Sequence, residues 1–131
     1  MRRTLFVFPR ATLPAALGGP SERVAAAERK RLIKDVERAG LHVDGDAWLA
    51  AAGDEVEALL ADGRAHSSTE LRGHLPAIDG KVMAGAGTWA AEVPIGPRVL
   101  TVLSAEGRVV RGPNDGGWTV SRPRWTSMAA W

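Results

Sequence analysis

The chain has no cysteine and no tyrosine, only two phenylalanines, and no apolar run of bilayer length. Without cysteine a disulfide scaffold and a thiolate zinc site are excluded, and a reducing, cytoplasmic setting is expected. The apolar stretch Leu5 to Phe8 is cut off by Pro9 and Arg10, too short for a secretory core. Nothing else approaches the length of a membrane span, so a soluble protein with no membrane partner is expected. With so few other aromatics, five tryptophans must supply the large apolar rings. Trp118 and Trp125 are expected in the core, whereas Trp89, in a glycine-rich loop, is left open between packing and base stacking.

Motifs of phosphate, metal and nucleophile chemistry are also missing. "GAGTWA" (Gly85 to Ala90) fits G-x-G-x-x-A, but Pro94 and Pro97 follow too closely for the long helix such a motif requires. There is no P-loop and no G-x-S-x-G elbow. His42, His66 and His74 lack the spacing of a zinc site, and Asp44 to Asp46 lack the other ligands of a calcium loop. No catalytic residue, metal or cofactor is therefore expected.

What is present is arginine. The 131 residues carry 17 cations, all but three of them arginine, against 15 acids, for a net charge of +2. Arginine suits phosphate because its planar fork presents paired donors and keeps its charge. Codon bias in an Ala- and Gly-rich chain explains the total as well, so only the placement of the arginines is informative. The length fits one domain, or a small domain with an appendage, able to bury about two-thirds of its unfolded surface.

The element pattern is mainly helical with a little strand, an α+β class. "TLFVF" reads as a strand. Ser21 to Gly40 reads as a helix capped by Ser21, with Ala25, Leu32, Ile33 and Val36 as its apolar stripe. Arg23, Lys30, Lys34 and Arg38 recur on another side among acids, which reads as a solvated face. A second helix follows Asp44 or Asp46 and stops at Gly63, with Leu49, Ala52, Val56, Leu59 and Leu60 inward. A third, brief helix is capped by Ser68 or Thr69, with Leu71 and Leu75 inward. Residues 77–93 read as a loop or small hairpin, and "PIGPRVLTVLSAEG" as a further helix closed by Gly107. "RVVRGPNDGGWTVSRPRW" reads as two strands around a tight turn.

From residue 46 that order is helix, extended link, helix, loop, helix and hairpin, the order of a winged helix-turn-helix. The expected division is 1–43 as an N-terminal strand and helical segment, 44–125 as the winged helix, and 126–131 as a tail. Arg98 and Thr101 on the third helix, and Arg108, Arg111, Arg122 and Arg124 on or beside the wing, are the candidate DNA contacts. So apolar a third helix favours backbone contacts over base reading.

"MRRTLFVFPR", "AAERKRLIKDVERAG", "VPIGPRVLTVLSAEGRVVRG" and "GGWTVSRPRW" together span most of the chain. On these segments it resembles a bacterial family of winged helix DNA-binding domain-containing proteins, which includes DNA glycosylases for bulky alkylated or crosslinked bases. The resemblance implies tandem winged helices around a DNA-holding concavity, in longer proteins of which this chain looks like an internal portion. It also implies a Gln-rich catalytic motif upstream of the region matched here, and this chain contains no glutamine. The leading expectation is therefore duplex DNA binding through phosphates. Part of a DNA glycosylase acting in DNA repair is one alternative. A scaffold module, packing as a homodimer or on neighbouring winged helices, is the other.

Overall fold

The computed structural model describes residues 9–85, 88, 90–117 and 119–131. The expected strand "TLFVF" and the side chains of Trp89 and Trp118 lie outside them. The fold is α+β and mainly helical, as expected. Among the described residues helical structure begins at a 3₁₀ turn, Arg10–Thr12, and runs through α1 (Leu13–Ala16) and a π-helical stretch (Leu17–Ser21) into α2 (Glu22–Arg38). Ser21 is therefore not the N-cap expected of it. Its backbone is helical (φ −69°, ψ −37°) and its side chain makes no capping bond, whereas a cap needs extended backbone. Pro20 explains the wide turn beside it: the ring offers no N–H and crowds the carbonyl four residues back, and π geometry relieves both.

The helix α3 (Gly45–Leu60) starts where Asp44 accepts a hydrogen bond from the Ala47 amide at 2.9 Å. Its inward face is Leu49, Ala52, Val56 and Leu60, all at most 1% exposed, with Leu59 partly buried beside them. α4 (Ser68–His74) is capped by Ser67 rather than by Ser68 or Thr69. The reason is the Ser67-x-x-Glu70 spacing: the Ser67 hydroxyl accepts from the Glu70 amide while the Glu70 carboxylate accepts from the Ser67 amide. α5 (Gly96–Ala105) opens with Pro97 in its first turn, and Gly107, at φ +76°, turns the chain after it.

The short β1 (His66–Ser67), β4 (Val109–Asn114) and β5 (Pro123–Ser127) form one antiparallel sheet in the order β1-β5-β4. Residues 77–93, expected as loop or hairpin, hold all but the last residue of an antiparallel pair, β2 (Lys81–Ala84) and β3 (Ala91–Pro94), inserted between α4 and α5. Leu32 and Val36 of α2, the inner residues of α3, Leu71, Val82, Val99, Leu100, Leu103, Val109 and Trp125 form one hydrophobic cluster. Each fully buried Leu or Val contributes roughly 1.5–3 kcal/mol relative to its exposed state. Trp125 joins the core as expected. Arg29 pins the corner where three helices meet. Its guanidinium donates to Asp46 at 2.8 and 3.0 Å and to Glu106 at 3.0 Å, tying α2 to the start of α3 and the end of α5.

Candidate nucleic-acid interface

The sheet geometry places the six expected contact residues in three different situations. On α5, Thr101 returns its hydroxyl proton to the Pro97 carbonyl at 2.8 Å, an intrahelical bond. Arg98, at the first turn of α5, reaches Asp35 of α2 at 2.8 Å. Neither side chain stands free on an outward helix face.

Arg108 and Arg124 brace the β4–β5 hairpin against the helices. Arg108 donates from Nε to Glu57 at 2.8 Å and from Nη2 to Asp54 at 2.6 Å, both on α3. Its guanidinium lies over Gly53, where a Cβ would stand 2.5 Å from Nη1. Burial alone would lower the pKa of Arg108, but its hydrogen bonds to Glu57 and Asp54 and their charges outweigh that, and the net shift is upward. Arg124 donates to the Ala65 carbonyl at 2.8 and 2.9 Å, to Asp115 at 2.7 Å and to Glu70 at 3.1 Å. Its protonated form is favoured first by the hydrogen bond to Asp115, then by the charges of Asp115 and Glu70. Glu70 in turn is held below the usual carboxylate range, first by the Ser67 amide, next by the Ser67 hydroxyl, and also by Arg124.

Arg111 and Arg122 differ from these four. Both are exposed, and neither has a carboxylate partner among the described residues. Among the described residues Arg111 donates to the Ser121 hydroxyl, at 2.8 Å, across the hairpin. Arg122 borders a cleft of about 490 Å³ between the hairpin and the start of α4, whose wall includes Ser67, Ser68, Thr69, Ser121 and one acidic residue, Asp115, which is paired with Arg124.

The loop between these two arginines is organised by Asn114, the only asparagine in the chain. Its amide donates to the carbonyls of Gly116 (3.0 Å) and Val120 (2.8 Å), and its carbonyl accepts from the Arg122 amide. Composition pointed to a turn here but not to this clamp. A lone Asn at a strand end beside Asp and glycines is the signal that could have found it. Between Arg111↔Trp125 and Asn114↔Pro123 the register slips by one residue, a bulge on the β4 side.

Among the described residues no three His, Asp or Glu side chains gather as a metal site. No helix among them is long and apolar enough to cross a membrane. With Asp115 neutralised by Arg124, Arg122 and the hydroxyl residues around it are what the cleft offers, groups suited to hydrogen bonding with phosphate oxygens.

Comparison with known proteins agrees in direction. No curated protein matches the chain, and no solved structure matches it. Residues 1–131, the whole chain, match the family described as DNA glycosylase AlkZ-like. The chain belongs to the AlkZ-like DNA glycosylase family.

Proposed function

We propose that this protein contacts duplex DNA in the service of base excision, with residues 44–125 as a winged helix-turn-helix and the β4–β5 hairpin as its wing. The sheet order β1-β5-β4, with α3, α4 and α5 placed around it in that sequence, supports the winged-helix reading. The observation that carries the contact assignment is the division among the arginines. Arg98, Arg108 and Arg124 are answered by internal carboxylates, whereas Arg111 and Arg122, on either side of the loop, have no carboxylate partner among the described residues. Phosphate contact through the wing follows, with Arg108 and Arg124 holding the hairpin in place. Membership of a DNA glycosylase family supports a repair role over a regulatory one. The absence of glutamine argues that the base-release chemistry implied by the family's Gln-rich motif is not carried by these residues.

A salt titration of affinity for a DNA duplex tests this reading. Each phosphate contact contributes about 0.9 to the slope of log affinity against log salt. Arg111→Ala with Arg122→Ala is expected to lower the slope by roughly 1.8 on that basis. Wild-type protein that binds no duplex at low salt would sink the reading.

A further inference from the structure

A second concentration of positive charge lies away from the wing. α2, α5 and the end of β2 enclose an open cleft of about 440 Å³. Arg31, Lys34, Arg38 and Arg98 line it, against only two carboxylates, Glu28 and Asp35. The surplus of two positive charges in this one cleft equals the net charge of the entire chain. Read along the sequence, the cations of α2 alternate with acids and look like a solvated face. The fold changes that by sorting them. Glu28 is answered by Arg31 at 3.1 Å, and both oxygens of Asp35 are taken, one by Arg98 at 2.8 Å and one by Arg38 at 3.6 Å. Lys34 is exposed and has no carboxylate partner among the described residues. Arg98 Nη1 is buried and has no hydrogen-bond partner among the described residues.

Arg31, Lys34 and Arg38 sit at i, i+3 and i+7, one stripe about 10 Å long at 1.5 Å per residue. Arg31 and Arg38 keep 70% and 76% of their side chains in solvent, so their ion pairs are weak and easily exchanged for a phosphate. A row of cations on a rigid helix matches a polyanion with one charge per roughly 1.7 Å of helix axis better than it matches a single small anion. We infer that this α2 cleft is a second phosphate-backbone contact, and that the protein holds duplex DNA at the wing and at α2. This rests on the DNA-binding reading above.

The test measures the salt slope for wild type, the wing variant Arg111→Ala/Arg122→Ala, and the triple variant Arg31→Ala/Lys34→Ala/Arg38→Ala. The triple variant is expected to lower the slope by about 2–3 at 0.9 per contact, with its circular dichroism spectrum unchanged. Should the triple variant misfold, Lys34→Ala, which removes no ion pair, is expected to lower the slope by about 0.9. An unchanged slope in a folded α2 variant, beside a reduced slope in the wing variant, would overturn this inference alone. No binding by wild type at low salt would overturn both readings together. A reduced slope in the α2 variant with none in the wing variant would uphold the α2 contact and remove the wing.

Discussion

At the scale of single residues, an arginine's role follows from what answers its charge. Arg108 shows the structural extreme. It fits over Gly53, where any side chain would collide with it, and it bonds Glu57 and Asp54. Asp54 is 78% exposed, which screens that half of the interaction. Arg108→Ala is therefore expected to lower stability by only about 1 kcal/mol, read by urea unfolding, while leaving the salt slope of DNA binding intact. Loss of slope with no loss of stability would reverse the role assigned to it. Arg111 is expected to behave oppositely, because its partner among the described residues is a hydroxyl, that of Ser121, and not a carboxylate.

At the scale of elements, the loop between β4 and β5 is held by one side chain together with two backbone bonds, Asp115 N–H to the Arg122 carbonyl and Val120 N–H to the Gly117 carbonyl, both 2.9 Å. Asn114 closes it by accepting from the Arg122 amide and donating to Gly116 and Val120. Asn114→Ala is expected to speed hydrogen exchange at the Arg122 amide by an order of magnitude or more, about 1.4 kcal/mol of lost local protection. The core amides of α3 and α5 should keep their rates. Equal exchange at Arg122 in both proteins would show that the clamp is idle.

What the sequence disclosed about these elements depends on how local the cause is. Asp44, Gly63 and Gly107 bound their helices through bonds within a few residues, or through a backbone angle of their own, and were legible. Ser21 misled because a helix start is ordinarily read from the capping residue, and here the turns upstream of Pro20 continue as a π stretch. The two-residue β1 carries no periodicity; it exists because β5 lies beside it. The arginines were the least legible. Apart from Asp115, nine residues before Arg124, the partners of Arg108 and Arg124 lie 51 to 59 residues away in sequence, so only the folded chain reveals that they are engaged.

At the scale of the molecule, α2 is part of the same interior as the rest. Leu32 and Val36 belong to the cluster that includes Leu49, Val99 and Trp125, and Arg29 bonds both α3 and the end of α5. Leu32→Ala is expected to cost about 2–5 kcal/mol and to shift one cooperative transition. Tryptophan fluorescence and helical circular dichroism should move together. A separate early transition, confined to the helical signal, would mean that α2 unfolds on its own.

The bulge on β4 bears on behaviour in concentrated solution. Among the described residues β4 is an outer strand of its sheet, and an outer strand with a free row of amides invites pairing with the same strand of another copy. Gly112 and Pro113 fall within the bulged stretch, and proline has no amide hydrogen to offer. The bulge and Pro113 thus interrupt the row of amides that β4 could offer to another copy, which disfavours fibrous growth through this edge.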